Sequence, residues 1–265
     1  MVQVGASVGY FGGNILLIKD DLASLRPTFF VSVPRLYQRF YDVMQGKIKE
    51  LTGLKGKLCQ WGIEAKMANL SLNGETTHSI YDKLIFNKFR ESMGGRVKFM
   101  VTGSAPLAKE IVNFMKIAMC CPFFEGYGQT ESSAGICLTK SEDPEAGHVG
   151  GVIPCGELKL VDIPEMKYLS TDEPHPRGEV CVRGGHIFCG YFKQADKTAE
   201  TIDKEGWLHT GDIGVILSNG ALKIVDRKKN IFKLSQGEYI APDKLEGSFG
   251  LIDIIKQIFV YGDSL

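Results

Sequence analysis

The sequence predicts an α/β protein: a partial parallel-sheet α/β subdomain, a small β-barrel-like subdomain and the start of a C-terminal α+β lid. Three observations lead to this prediction. Residues 97–125 read as strand, helix and strand, short strands separated by Gly, Pro and Asp follow residue 135, and the last forty residues are too few for a complete domain. The predicted boundaries give domains of residues 1–135, 136–225 and 226–265.

The N-terminal part is predicted to be mainly helical. We expect a strand at residues 8–11, a helix at 20–26 and a β-rich run at 28–33, where aromatic and β-branched residues cluster. Pro34 suits a helix start, because its missing N–H would be unpaired there. Helix formers dominate residues 34–93, and breaks at Thr52-Gly53 and Asn73-Gly74 predict three helices.

The central segment predicts a βαβ unit. Its strands are residues 97–101 and 122–125, and the amphipathic helix between them is residues 107–119. Such a unit has parallel strands and a right-handed crossover. Further strands are predicted at 157–161, 179–183, 213–217 and 221–225, with a hairpin at Ser218-Asn219-Gly220 because Asn-Gly accepts positive φ values. A helix at 242–249 and a strand at 257–261 complete the prediction.

Composition excludes several classes of protein. The 265 residues contain 31 Lys and Arg against 31 Asp and Glu, so no global field attracts a nucleic acid. Seven cysteines without a C-x-x-C pair argue against a disulfide framework and a thiolate zinc site, and the five scattered histidines are not expected to bind metal. A reducing compartment fits best. No apolar run approaches the length of a transmembrane span.

Two loops are candidates for ligand binding, because ligands bind outside the carboxyl ends of strands in open parallel sheets. They are residues 102–106 and 126–131. Tyr127 offers an aromatic face to a flat base, Thr130 a hydroxyl to a phosphate, and Glu131 a hard oxygen to Mg²⁺. The alternative is a plain strand-to-helix connection in which Thr130 or Ser132 caps the helix.

A third candidate lies at residues 207–212. The carboxylate of Asp212 could accept two hydrogen bonds from a ribose diol, although Thr210-Gly211-Asp212 is also a plausible turn. The charged run at residues 226–229 is, on its own, typical of a solvated turn.

In this order the motifs resemble one family. They are Tyr127-Gly128-Gln129-Thr130-Glu131, then Arg177-Gly178-Glu179 with Gly190-Tyr191 and Thr198, then residues 207–212 and Asp226-Arg227-Lys228-Lys229. The series resembles the adenylate-forming superfamily of acyl-CoA synthetases, luciferases and peptide-synthetase adenylation domains. Residues 27–35 and 233–242 resemble its eukaryotic long-chain fatty acyl-CoA synthetases, and the latter stretch disfavours a luciferase or an amino-acid adenylation domain.

The resemblance implies an AMP-forming fatty-acid–CoA ligase. A fatty carboxylate would attack the α-phosphate of ATP, and coenzyme A would then displace AMP, with Mg²⁺ as the metal. The partners implied are a long-chain fatty acid, ATP and coenzyme A, with no nucleic acid. The implied location is the cytoplasmic face of the endoplasmic reticulum, mitochondrial outer membrane or peroxisome, with peripheral membrane contact by the parent protein.

The resemblance also implies roles for individual residues. Tyr127 would stack on adenine, Thr130 would hold the α-phosphate, and Glu131 would bind Mg²⁺. Asp212 would bind the ribose hydroxyls, Arg227 would add a second ribose contact, and Lys229 would mark the hinge of the lid. The remaining nucleotide-binding positions would be glycines and a serine that line the adenine and acyl side or allow close approach: Gly103, Ser104, Gly126 and Gly128.

Two motifs of the family that this sequence resembles do not occur in these 265 residues. They are the Ser/Thr/Gly-rich phosphate loop ending in Lys-Gly and the lid lysine loop. We therefore expect an internal fragment that forms no acyl-CoA by itself. The alternative is a catalytically silent adenosine-binding or regulatory fragment.

Overall fold

A computed structural model describes residue 3 and residues 5–141, 143–236, 238–250, 252, 254–255 and 257–262. The chain divides into two compact units. The first comprises residues 1–101 and 110–123, and the second comprises residues 102–109 and 124–265. The boundaries predicted near residues 135 and 225 stay predictions. Among the described helices, none combines the length and hydropathy needed to cross a bilayer.

Helices dominate the first unit. They are α1 (Ile18–Leu25), α2 (Pro34–Lys49), α3 (Gly53–Asn73), a π-helical turn (Asp82–Phe86) that leads into α4 (Asn87–Glu91), and α5 (Lys109–Met119). Pro34 occupies the first turn of α2, and Gly74 ends α3 in the left-handed conformation at φ 73°. The predicted helix starts and breaks are therefore confirmed here.

The core of the first unit surrounds Tyr37, whose side chain is fully buried. Its hydroxyl lies 3.0 Å from the carbonyl oxygen of Phe30 and 3.1 Å from that of Val101, and its ring packs edge-on against Phe123. Burial raises the pKa of the Tyr37 phenol, with the neighbouring Cys121 thiol adding to the rise. The single hydroxyl proton is thus within reach of carbonyl groups from two strands, while the ring fills the core.

Five strands form one sheet in the order β1 to β5. They are β1 (Phe29–Ser32), β2 (Phe99–Thr102), β3 (Phe123–Tyr127), β4 (Cys137–Leu138) and β5 (Gly151–Val152). The adjacent strands β2 and β3, joined through α5, confirm the strand–helix–strand prediction. The sheet as a whole is mixed, because β4, which follows the subdomain predicted at residues 1–135, pairs antiparallel with both β3 and β5.

The second unit contains a four-stranded antiparallel sheet. Its strands are β6 (Gly156–Val161), β7 (Arg177–Gly184), β8 (Leu208–Ile216) and β9 (Leu222–Arg227), with helix α6 (Ala195–Thr201) between β7 and β8. The expected barrel-like closure is not observed in the described residues: β6 and β9 are the outer strands and do not pair. The sheet is therefore open, and its apolar residues pack on Ile136 and Cys137.

The turn between β8 and β9 confirms the predicted hairpin. Only Gly220 takes a positive φ, at 78°, whereas Asn219 accepts a hydrogen bond from the Ala221 N–H through its side chain. The strands on either side pair from Ile216 with Leu222 onward.

The last described elements are two short strands and a helix. β10 (Phe232–Lys233) pairs antiparallel with β11 (Tyr239–Ile240), and α7 (Pro242–Phe249) follows. The strands predicted at residues 8–11 and 257–261 do not form in the described residues. A strand requires a neighbour for its backbone groups, and the Val260 N–H instead donates to the Glu246 side chain, at 2.8 Å.

Candidate functional site

The loop after β3 turns back tightly on itself. Residues Thr130–Ser132 form one turn of 3-10 helix, and Ser133 and Ala134 then take positive φ values of 50° and 89°. A Cβ added at Gly128 would lie 1.6 Å from the Ala134 carbonyl oxygen. Only glycine fits there, because two backbone segments pass in contact.

Asp212 anchors this loop to β8. Its Oδ2 accepts hydrogen bonds from the Tyr127 hydroxyl at 2.7 Å and from the Gln129 side-chain amide at 2.8 Å. The same amide donates to the Thr210 carbonyl oxygen at 2.8 Å. The Asp212 residue is only 5% exposed. Hydrogen bonds to a charged acceptor of this kind are among the stronger ones in proteins.

A bulge in β8 presents Asp212. Glu179 on β7 pairs with Ile213 on β8, and Cys181 pairs with His209. One residue of β7 therefore lies opposite three residues of β8, so β8 contains two extra residues. The Thr210 hydroxyl fills the gap, donating to the Val180 carbonyl at 2.7 Å and accepting from the Asp212 N–H at 3.1 Å. Bulges of this kind re-aim side chains and are common beside functional sites.

The electrostatics of the site follow from burial and from this carboxylate. The pKa of the Tyr127 phenol is raised, first by burial and then by the negative charge of Asp212. Oδ1 of Asp212 has a cation nearby, the Arg227 Nε at 3.6 Å. The Arg227 side chain is 57% exposed, so the ion pair is open to solvent on one side. Asp212 thus keeps one oxygen directed toward a basic, accessible position.

Glu131 lies at the other end of the loop. Its Oε1 accepts a hydrogen bond from the Tyr191 hydroxyl at 2.7 Å, and its backbone carbonyl accepts one from the Phe188 N–H at 2.8 Å. The bond to Glu131 is the largest cause of a raised pKa at Tyr191. No described residue donates to Oε2, so a hard carboxylate oxygen stays available, which fits the donor set of Mg²⁺.

The loop after β2 contributes a second set of predicted residues. A Cβ at Gly103 would lie 3.3 Å from the Gly126 carbonyl oxygen, which is a tight contact. Ser104 is exposed and takes φ 75°, a conformation that costs energy for a residue with a Cβ. The hydroxyl of Thr102 is buried and has no partner among the described residues.

The structure brings some predicted residues together and leaves others apart. Tyr127, Asp212 and Arg227 form a continuous network, whereas Thr130 is exposed and Lys229 lies in the exposed turn after β9. Neither Thr130 nor Ser132 is the cap that the alternative expected: Gln129 is the N-cap of the 3-10 turn, and the Ser132 hydroxyl, at the third position of the turn, accepts a hydrogen bond from the Gln129 N–H at 3.0 Å.

Sequence reasoning missed two positioning residues, Gln129 and Tyr191. Both belong to motifs that were identified, but neither was given a role. Gln129 is the variable position of its motif, so only its contacts with Thr210 and Asp212 reveal what it does.

Solved structures of adenylation domains resemble this chain. It matches the adenylation domain of a carboxylate reductase from Mycobacterium chelonae with a TM-score of 0.73 and 33% identity, covering 94% of this chain and 34% of that one. It also matches the A domain of a carboxylic acid reductase from Segniliparus rugosus, in complex with AMP and a co-purified carboxylic acid, with a TM-score of 0.68 and 31% identity, over 94% and 35% of the two chains.

Two curated relatives are named as long-chain acyl-CoA synthetases or ligases. The chain is 51% identical over 263 residues to long chain acyl-CoA synthetase 6, peroxisomal, of Arabidopsis thaliana, covering 99% of this chain and 37% of that protein. It is 50% identical over 265 residues to long-chain-fatty-acid–CoA ligase 1 of Homo sapiens, covering 100% and 37%. The chain therefore spans about 37% of the length of these relatives.

A family model supplies the assignment. The model described as AMP-binding enzyme matches residues 1–192, which include the loops after β2 and β3. Together with the adenylation-domain fold, this match shows that the chain belongs to the family of AMP-binding enzymes.

Proposed function

We propose that this chain forms part of a long-chain-fatty-acid–CoA ligase of the AMP-forming type. The proposed reaction activates a fatty acid to an acyl-adenylate with ATP and then transfers the acyl group to coenzyme A. Two findings support the proposal: identities of about 50% to proteins of that name, and membership of the AMP-binding family.

The single observation that carries the proposal is the hydrogen-bonded network at Asp212. A nucleoside site needs a fixed acceptor for the two ribose hydroxyls, and Oδ2 of Asp212 is held by the Tyr127 and Gln129 side chains. Oδ1 is then oriented without further ordering of the side chain, so little conformational entropy is lost on binding. We assign Asp212 to the ribose hydroxyls. Arg227, whose Nε lies 3.6 Å from Oδ1 of Asp212, is assigned to a second ribose contact.

The loops after β2 and β3 supply the remaining proposed contacts. Tyr127 offers its ring to adenine while its hydroxyl is used by Asp212, and Thr130 offers an exposed hydroxyl to the α-phosphate. The close-approach positions are Gly103, Ser104, Gly126 and Gly128. Because the three glycines among them carry no side chain, a flat base can contact the backbone there directly.

Glu131 is the proposed Mg²⁺ ligand, because Tyr191 holds one carboxylate oxygen and leaves Oε2 available. A bound Mg²⁺ would neutralise charge that develops on phosphoryl oxygens. Tyr191 fixes the orientation of the carboxylate before the ion arrives.

Nucleotide binding to the purified chain tests the site. We expect calorimetry to detect AMP binding, and we expect Asp212→Asn to weaken it about tenfold or more, because a hydrogen bond to a charged group contributes about 1.5–3 kcal/mol. Glu157→Gln is the matched control, since Glu157 is an exposed carboxylate whose partner is Arg183. Unchanged AMP affinity in Asp212→Asn would refute the ribose assignment.

The catalytic proposal needs a separate measurement. In human ligase 1 the matching segment can be replaced by this chain, since the two align over 265 residues. We expect the chimera to catalyse fatty-acid-dependent ATP–pyrophosphate exchange and thioester formation. A chimera that binds AMP but catalyses neither step would favour the adenosine-binding or regulatory alternative.

The proposed place of the parent protein in the cell is the cytoplasmic face of an internal membrane, with peripheral contact. The name of one Arabidopsis relative, peroxisomal, supports the peroxisome among the candidates. Fractionation of tagged protein, with a salt wash to release peripheral material, tests both parts of this proposal.

A further inference from the structure

A cluster of metal-ligating side chains lies on β7 and β8. It consists of Glu179, Cys181 and His209, whose ligand atoms all lie within 4.8 Å of one another. Cys181 and His209 are direct cross-strand partners, with 3.3 Å between Sγ and Nδ1. Glu179 lies two residues before Cys181, and its Oε2 is 3.6 Å from the same Nδ1. A sulfur and a carboxylate oxygen therefore lie beside one ring nitrogen, which brings three different Lewis bases together.

The other ring nitrogen of His209 also has a carboxylate. Oδ2 of Asp203 lies 3.6 Å from His209 Nε2. A histidine that binds a metal through one nitrogen usually donates the N–H of the other to a carboxylate, which fixes the tautomer and the ring orientation. Asp203 faces the ring nitrogen that the other two side chains leave free, and at 3.6 Å, slightly beyond hydrogen-bond distance, it occupies the place of such an outer partner.

Both carboxylates are already oriented by the backbone. Glu179 uses Oε1 to accept from the Gly211 N–H at 3.2 Å, and Asp203 uses Oδ1 to accept from the N–H groups of Glu205 and Trp207, each at 2.9 Å. Each therefore directs its second oxygen to His209 without free rotation. Ligands fixed in advance lose little entropy when an ion binds.

The atom types and spacing select a class of cation. Tetrahedral zinc has bond lengths of about 2.0–2.3 Å to nitrogen, oxygen and sulfur, which place neighbouring ligand atoms about 3.3–3.6 Å apart. The observed separations of 3.3 and 3.6 Å at Nδ1 fall in that range. A thiol with an imidazole and a carboxylate favours zinc over Mg²⁺, which prefers oxygen alone.

We propose that Glu179, Cys181 and His209 bind one zinc ion, with Asp203 as the residue that positions His209. On binding, the Cys181 thiol loses its proton to solvent and its sulfur coordinates the ion as thiolate. The side chain of His209 is 31% exposed, which gives the ion a path to a cluster whose cysteine is fully buried. A water completes the tetrahedron.

Cobalt(II) is the probe of the site, because it replaces zinc and reports its ligands by absorption. The chain is first stripped with a chelator and then titrated with cobalt chloride. We expect one equivalent to bind, with the strong visible bands of a tetrahedral complex and a near-ultraviolet sulfur-to-cobalt charge-transfer band. Zinc chloride should displace the cobalt stoichiometrically, and excess magnesium chloride should not. Binding of no cobalt or zinc by the folded chain would overturn the proposal.

Three variants assign the ligands. Cys181→Ala should abolish the charge-transfer band, whereas Cys137→Ala, the control at a second buried cysteine of the same unit, should keep it. Asp203→Asn retains Oδ1 for the backbone and alters only the group that faces His209. It should weaken zinc binding about 10- to 100-fold, the usual effect of losing such a partner.

Circular dichroism checks that each variant is folded. Should Cys181→Ala fail to fold, Asp203→Asn decides, because it leaves the buried sulfur in place. A charge-transfer band that persists in folded Cys181→Ala, or zinc affinity that is unchanged in Asp203→Asn, would refute the assignment and leave His209 as an imidazole between two carboxylates.

Discussion

At Asp212 the two carboxylate oxygens have different neighbours. Oδ2 receives hydrogen bonds from Tyr127 and Gln129, and Oδ1 faces Arg227. Glu131 shows the same division, with Oε1 held by Tyr191. A carboxylate can therefore be fixed by the protein through one oxygen and keep the other for a ligand. This division underlies the roles proposed for both residues.

The hydroxyl of Tyr127 should stabilise the folded chain. Tyr127→Phe removes a hydrogen bond to a charged acceptor, so we expect the free energy of unfolding at neutral pH to fall by about 1.5–3 kcal/mol. Urea denaturation measures the change. The control Tyr10→Phe, at a side chain that is 90% exposed, should alter it by less than about 0.5 kcal/mol.

The pH dependence of stability provides a second test of Tyr127. Its folded-state pKa lies above the unfolded value of about 10, because burial and then Asp212 oppose the phenolate. Above that pH the unfolded chain loses the proton and the folded chain retains it, so stability falls as pH rises. We expect the parent to lose stability above about pH 10 more steeply than Tyr127→Phe, by up to about 1.4 kcal/mol per pH unit. Parallel profiles would contradict this.

At the scale of the element, the loop after β3 depends on a backbone contact. Gly128→Ala places a methyl group 1.6 Å from the Ala134 carbonyl oxygen, so the loop must move. We expect a loss of at least about 1–3 kcal/mol in stability, the usual cost of overpacking, together with loss of AMP binding.

Gly135→Ala is the control for that substitution, since its added Cβ would meet only the Ile153 side chain at 3.7 Å. It should leave stability unchanged or slightly higher, because alanine restricts the unfolded chain. Similar melting temperatures for the two alanine variants would contradict the backbone clash.

The bulge in β8 is the second element with a testable role. Thr210→Val preserves side-chain volume but removes the hydroxyl that bonds both the Val180 carbonyl and the Asp212 N–H. We expect weaker AMP binding and a loss of about 1–3 kcal/mol in stability, since two hydrogen bonds are broken. Thr210→Ser, which keeps the hydroxyl, should retain AMP affinity. A loss of affinity in Thr210→Ser with no loss in Thr210→Val would indicate that the methyl group matters instead.

At the scale of the whole molecule, the proposed hinge of the lid is Lys229, in the exposed turn after β9. Lys229→Pro restricts φ, and no described hydrogen bond uses the Lys229 N–H. In the chimera with human ligase 1, we expect this variant to slow thioester formation more than adenylation, because the proposed lid would rotate between the two half-reactions. Lys229→Ala, which removes the charge but keeps backbone freedom, should affect both steps little. Equal slowing of both half-reactions by proline would count against a hinge.

The sequence by itself determined the local elements and the family. Pro34 and Gly74 mark helix ends through their own φ preferences, and the motif residues from Tyr127 to Asp212 occur in the order typical of adenylate-forming enzymes. These features depend on short stretches of chain, so they are readable without a structure. The family match over residues 1–192 confirmed the resemblance.

Only the tertiary structure decided which distant residues meet. The open sheet in place of a barrel, and the missing strands at residues 8–11 and 257–261, depend on whether a neighbouring strand is present to pair. Cys181 and His209 are 28 residues apart and form no metal motif in sequence. The pairing of β7 with β8 places them opposite each other, and the bulge that follows directs Asp212 to the loop after β3. Strand register is a long-range property, so spacing in sequence could not predict it.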